Sequence, residues 1–357
     1  MKIDRLELDR FMLFESFHHN WSPNINVICG YNNTGKTALL KVLYSTIKAH
    51  CDVFSDKASP TKEAHNSALA RKFQGVFRPD EGNIGRLCAR LQGSSKPASI
   101  RVVFDDKGES HFTFGSRSQK NVDIHVLPND SILNANPVYI PPKEIISATE
   151  NFTSLYDDYH IAFEETYYDL ARLLERPRKK GANTIEQNKV LSSFEEIVDG
   201  KVYLENNKFY LSVKTKGFFE MGLVSEGFRK LSTIIHLIST GSLSKDSVLF
   251  WDEPETNLNP KMIKPICEAL VELANMGVQI FITTHDYFVQ QSFNMLARYP
   301  KANPQKLNVQ FVSLYRDRNN VVVHESAANI SDLDHNPIME EFDAIYDREQ
   351  GYLYDIN

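Results

Sequence analysis

Eight consecutive residues, Gly30-Tyr31-Asn32-Asn33-Thr34-Gly35-Lys36-Thr37, satisfy the pattern GxxxxGK[ST]. Residues of these types at this spacing hold phosphate. The two glycines let the backbone turn so that successive amides, from Asn32, Asn33 and Thr34 through to Ala38, face phosphate oxygens. Lys36 neutralises the outer phosphates, and the Thr37 hydroxyl ligates magnesium. A glycine-rich turn with a surface lysine is the plainer alternative, but the flanks argue against it. An apolar run, Ile25 to Cys29, leads directly into Gly30, and behind the motif Leu39, Leu40, Val42, Leu43 and Ile47 keep the spacing of an amphipathic helix.

Three later segments add chemistry. Val248-Leu249-Phe250-Trp251 ends in Asp252-Glu253, so a buried strand delivers one carboxylate to hold magnesium or its bound water and a second to polarise a water attacking the γ-phosphate. Phe281-Ile282-Thr283-Thr284 ends in His285, which is placed to touch the γ-phosphate or that water and so to sense intact triphosphate. Val224-Ser225-Glu226-Gly227 opens a helix whose Leu231, Ile234, Ile235 and Ile238 share a face. Ser225 there is either an ordinary N-cap or, with the free amides behind it and Gly227, an anion site without a basic residue.

The elements that must position these groups alternate strand and helix, an α/β pattern. Ile3, Leu6 and Leu8 mark an opening strand; Val138 to Ile140 and Val278 to Ile282 read as further buried strands, and a helix is expected from about 261 to 275. Residues 1–50 and about 220–325 form the expected nucleotide-binding core. Residues 51–136, with strand-like runs at Ile100 to Phe104 and His111 to Phe114, read as an antiparallel β lobe. Residues 148–215 read as a largely helical, charged insertion, and 326–357 as a C-terminal tail. A basic run at Arg176, Arg178, Lys179 and Lys180 reads as a solvated loop before a phosphate contact.

Composition narrows the class. With 357 residues, 42% of them hydrophobic, the chain can bury one large core or two modest ones without staples. Cys29, Cys51, Cys88 and Cys267 have no CxxC pairing and no histidine at zinc spacing, which points to reduced thiols and a cytoplasmic location. No signal peptide is read in the opening residues, and no window reaches the roughly 18 apolar residues of a membrane span. A net charge of -6 excludes a uniformly basic coat but leaves a local DNA-binding groove open.

The order of the motifs, phosphate loop, Ser-x-Gly helix, Asp-Glu strand, histidine strand, resembles the ABC ATPase family, in particular the branch shared by RecF, SMC-type proteins and the OLD-family (overcoming lysogenization defect) ATPases. The opening Leu6 to Phe14 is similar to the start of such heads. Val224 to Lys230 is similar to the family signature, with Glu226 where a second glycine often stands. Asp252 to Pro260 resembles the OLD-like branch most closely, with Asn259 in place of the usual aspartate or histidine. The resemblance implies ATP and Mg2+ as ligands and an ABC-type P-loop ATPase head with an antiparallel β lobe and a helical insertion. It also marks Gln74 as the glutamine that reaches nucleotide and metal.

By the same resemblance, the catalytic set is Lys36, Glu253 and His285, with Thr37 and Asp252 on the metal. Ser225 acts on the nucleotide of a partner copy, so that a homodimer or higher homo-oligomer sandwiches ATP. Related ATPases that carry a nuclease domain place it after the head, and only about 70 residues follow His285 here, too few for such a domain. Stand-alone relatives imply control of a separate nuclease or toxin in anti-phage defence. A RecF-like clamp on duplex DNA and an ATP-binding scaffold with negligible turnover are the alternatives. The acidic, amphipathic segment Asn336 to Tyr346 either packs on the core or docks a partner.

Overall fold

A computed structural model describes residues 1–354 apart from 56–60, 91–95, 160, 179–182, 300, 302–303 and 305. Lys179 and Lys180 of the basic run therefore lie outside the described residues. Among those described, the central sheet has six strands in the order β14-β13-β3-β12-β11-β7: Val322–Ala327, Val309–Arg316, Ile25–Gly30, Gln279–Thr283, Ser247–Asp252 and Asn136–Ile140. All neighbours run parallel except β14, which pairs antiparallel with β13 at the edge.

The inner strands are continuous apolar runs because both sheet faces are covered. Along β11, Leu249 and Trp251 enter the core shared with the helices, while Val248 and Phe250 enter the core shared with the phosphate-loop helix and the β lobe. On the first side lie α5 (Ile185–Ile197), α6 (Glu226–Ser239), α7 (Pro260–Asn275) and α8 (Tyr287–Arg298). On the second lies α1 (Lys36–Ser55), whose Leu39, Leu40, Val42, Leu43 and Ile47 are all buried, as its helical spacing predicts.

The antiparallel sheet has the order β2-β1-β4-β5-β6. It takes its first two strands, β1 (Ile3–Phe11) and β2 (Phe14–Asn20), from the opening of the chain, not from residues 51–136. β4 (Ala98–Phe104), β5 (Glu109–Phe114) and β6 (Asp123–Val126) complete it. The reason is register: the alternate side chains Leu6 and Leu8 and, past the left-handed Arg10, Phe11 share a face with Ala98, Ile100, Val102 and Phe104, and that face closes over α1 and α2 (Lys62–Phe77).

The segment expected to be helical does hold α3 (Phe152–Tyr159), α4 (Glu165–Leu174) and α5. From Gly200, however, the chain turns into a three-stranded antiparallel sheet of β8 (Gly200–Glu205), β9 (Lys208–Val213) and β10 (Gly217–Glu220). Period-two burial of Val202, Phe209 and Leu211 overrides the charged character read there. Arg178 lies over the Tyr203 ring at 5.0 Å and donates to the Val202 carbonyl, a structural tie to this sheet.

The tail begins inside β14 and ends in α9 (Pro337–Tyr354), none of whose residues is buried. Its first turns touch the body: Glu340 accepts from the Tyr31 hydroxyl, and Phe342 meets the Tyr287 ring at 4.4 Å. No helix among the described residues is long and apolar enough to cross a membrane.

Candidate nucleotide site

The loop between β3 and α1 is shaped by its glycines. Gly30 has φ +139, and a Cβ there would lie 2.2 Å from the Leu314 carbonyl oxygen. Gly35 has φ +97, and a Cβ would lie 2.6 Å from the Phe14 ring. Neither site admits a side chain. Asn33 takes the left-handed conformation with φ 59, and Thr34 turns its hydroxyl back to the Tyr31 carbonyl at 2.8 Å.

Lys36 is 6% exposed, and its Nζ donates to the carbonyls of Gly30 at 2.9 Å and Tyr31 at 2.7 Å. Burial lowers its pKa to about 8, with negative neighbours including Glu253 and Asp252 opposing the shift. Asn32, Asn33, Gly35, Lys36, Thr37 and Ala38 line an open cavity of about 320 Å³, walled on its other sides by Met12, Leu13, Lys41, Phe77 and His285.

The two distant strands arrive beside this loop because β12 lies between β3 and β11. The Thr37 hydroxyl donates to Asp252 Oδ1 at 3.1 Å, across 215 residues of chain. Thr283 also donates to Oδ1, and Tyr139 donates to Oδ2 at 3.2 Å. Burial raises the Asp252 pKa, and the Thr283 and Thr37 hydrogen bonds pull it back. Glu253 follows at φ +50, its amide bonded to the Thr283 carbonyl at 3.1 Å, its side chain about a third exposed.

His285 Nε2 lies 3.7 Å from Glu253 Oε1. Burial, then the charge of Lys36, lowers the His285 pKa against the pull of Glu253. Lys36, Thr37, Asp252, Glu253 and His285 are thus brought together at one end of the sheet. Hydroxyl and carboxylate oxygens at Thr37 and Asp252 form a donor set that fits magnesium.

Three expected residues stand elsewhere. Gln74 is not brought to the cavity: its amide, on α2, donates to the carbonyls of Gly82 at 2.6 Å and Gln119 at 3.1 Å, and Phe77, nearly one turn on, is the α2 residue that faces the site. Ser225 is the N-cap residue of α6, yet its side chain makes no capping bond; it is exposed and outside the cavity. Gly227 is buried, and a Cβ there would lie 2.6 Å from Leu258 Cδ2 and 2.9 Å from the Asn257 carbonyl. Its glycine allows α6 to approach the turn that follows Glu253. Asn259 caps α7, accepting from the Lys261 amide at 3.0 Å.

Several site residues were not foreseen. Besides Tyr139 and Thr283, Lys230 sends a buried Nζ from α6 to the Glu253 carbonyl at 3.3 Å. Glu255 accepts from the His285 amide at 2.9 Å and the Thr284 hydroxyl at 2.8 Å, while its other carboxylate oxygen is buried without a partner. The threonine pair before His285 was the one visible signal; the others depend on packing.

A phosphate loop, an aspartate on the second strand along and a histidine on the strand between, under an antiparallel lobe, define an ABC-type P-loop ATPase head. The family model described as "AAA domain, putative AbiEii toxin, Type IV TA system" matches residues 25–289, and the chain belongs to that family. The fold is similar to the crystal structure of an SMC head bound to the C-terminal winged-helix domain of ScpA, with TM-score 0.55 and 13% identity over 92% of this chain and 98% of that one.

Among curated proteins, the chain is 28% identical over 110 residues to the DNA replication and repair protein RecF of Halalkalibacterium halodurans. It is 25% identical over 208 residues to the ABC multidrug transporter SNQ2 of Candida glabrata. The matches cover 30% and 58% of this chain but only 25% and 12% of those proteins' lengths.

Proposed function

We propose that the chain hydrolyses ATP in a site completed by a second copy of itself, and that closure and opening of this dimer control a separate nuclease or toxin in anti-phage defence. The observation that carries the composite site is the position of Ser225. Its hydroxyl is free of capping duty and exposed at a helix N-terminus, outside the cavity where Lys36, Thr37 and His285 gather. A second copy is what brings such a serine to the open side of the loop.

In the proposed reaction the loop amides and Lys36 hold the β- and γ-phosphates. Glu253 accepts a proton from the attacking water, and His285 orients that water against the γ-phosphate. Thr37 and Asp252 would hold magnesium, which would supply charge neutralisation to the phosphates. The AbiEii-type family description supports a toxin or defence role. A second reading, a clamp on duplex DNA, draws support from the RecF match.

The composite site is tested by mixing Ser225→Arg with Lys36→Ala at concentrations where subunits exchange. Each variant alone is expected to be inactive. In the mixture one site per heterodimer combines an intact loop with an intact serine, and ATPase activity returns. Full activity in Ser225→Arg alone would refute the composite site. For the role, a phage-plating assay of cells with and without this gene separates defence from a repair function, which predicts unchanged plating.

A further inference from the structure

Lys41 stands on α1 one turn beyond Thr37 and lines the phosphate-loop cavity, yet its charge is already engaged. Its Nζ lies 2.6 Å from Glu164 Oε1, with 13% of the lysine side chain and 36% of the glutamate side chain exposed. Glu164 is the N-cap residue of α4 but makes no capping bond with its side chain. Its carboxylate is spent on Lys41 and on the Thr166 hydroxyl at 3.4 Å, so the entry of α4 is tied to the site and not to its own backbone.

The remainder of the first turns of α4 faces the same way. Asp169 accepts from the Tyr44 hydroxyl of α1 at 2.7 Å and from Lys72 of α2 at 3.0 Å, and Glu165 also accepts from Lys72. The Tyr44 ring lies 5.3 Å from that of Tyr139, whose hydroxyl holds Asp252. The α4 helix, the second of the inserted segment after α3, is therefore anchored on the nucleotide site by acidic side chains, and of their partners Lys41, Tyr44 and Lys72 it is Lys41 that also lines the cavity.

We infer that the Lys41–Glu164 pair is an occupancy switch: a bound nucleotide's phosphates draw Lys41 away from Glu164 and release the start of α4. The physical basis is competition for one cation. A partly exposed single carboxylate holds a lysine weakly, whereas a triphosphate presents several charges in a cavity where solvent is partly excluded. Both residues act as positioning groups. The inference rests on the reading of the cavity as a nucleotide site.

If the pair competes with nucleotide, Glu164→Gln frees Lys41 in advance, and binding of a magnesium-bound non-hydrolysable ATP analogue tightens by about fivefold, the size expected for a partly exposed pair. In a Lys41→Met background, which itself weakens binding, the same Glu164→Gln change has no effect. Hydrogen exchange at residues 164–168 is expected to quicken on analogue binding in the parent protein and to be insensitive to it in Lys41→Met. Titration calorimetry with the analogue supplies the affinities.

Weaker or unchanged binding in Glu164→Gln overturns the switch. So does an equal gain in the Lys41→Met background, which would make Glu164 only a general repulsive charge, or an exchange rate at 164–168 indifferent to the analogue. If the parent protein fails to bind the analogue at all, the nucleotide reading itself falls. Binding in the parent without coupling removes only the switch.

Discussion

Replacing Gly227 with alanine tests whether the close approach of α6 to the turn after Glu253 matters to catalysis. The new methyl would meet Leu258 Cδ2 at 2.6 Å and the Asn257 carbonyl oxygen at 2.9 Å. The leucine can swing aside; the carbonyl cannot without moving the turn. That turn is closed by the Leu258 amide on the Glu255 carbonyl at 2.9 Å and the Thr256 amide on the Glu253 carbonyl at 3.3 Å, so displacement at Asn257 reaches Glu253. Overpacking of this kind costs about 1–3 kcal/mol, and the better helix propensity of alanine returns up to about 1 kcal/mol.

The net loss of about 0–3 kcal/mol lowers Tm by at most about 12 °C, at ~2–4 °C per kcal/mol. Turnover, which depends on the aim of Glu253, is expected to fall at least about tenfold, as about 1.4 kcal/mol of lost transition-state stabilisation would give. Binding of a nucleotide analogue, governed by the untouched loop at 30–37, stays the same. Thermal unfolding, calorimetry and a phosphate-release assay separate the three quantities. Normal turnover in Gly227→Ala would show that this approach does not set the position of Glu253.

Two further outcomes follow from the site. Glu253→Gln should bind ATP and lose nearly all turnover, since the amide fits the same space but cannot accept the water's proton; the trapped nucleotide should hold dimers together in size-exclusion chromatography, and wild-type turnover would remove Glu253 as the base. Burial pushes the Glu255 pKa up to about 7 from an ordinary value of 4.5. Between those values the folded chain holds a proton that the unfolded chain releases, so this group's contribution is fullest below about pH 4.5 and falls as pH rises to 7, by roughly 3 kcal/mol. Urea midpoints from pH 5 to 8 should therefore show a downward trend that Glu255→Gln flattens, and parallel curves for the two proteins would contradict it.

The residues legible in the sequence share a property: each stands at the end of a short apolar strand or inside a fixed local spacing. Lys36, Thr37, Asp252, Glu253 and His285 could be placed without knowing what packs on what. Tyr139 and Lys41 could not. Tyr139 reaches Asp252 only because β7 pairs with β11 in parallel register, Trp251 opposite Ile140. Lys41 gains its meaning from α4, more than a hundred residues away.

Gln74 was misplaced for the converse reason: a glutamine beside aromatics looks the same whether it faces a cavity or holds two loop carbonyls. Which of these it does was decided by the loops at Gly82 and Gln119. Alternation in Ile3 to Phe11 names a strand without naming its neighbours, so the pairing of β1 with β4 is not legible from it.

The position of β3 between β12 and β13 bears on biosynthesis. The strand that carries the phosphate-binding loop has no sheet neighbour until residues 279–283 follow it from the ribosome, about 250 residues later. At ~5–20 residues per second that interval is on the order of 10 to 50 seconds. Throughout it the apolar run Ile25 to Cys29 has two open edges and no partner. A nascent chain halted anywhere before Thr283 carries the loop without its histidine strand, and is therefore a substrate for chaperones.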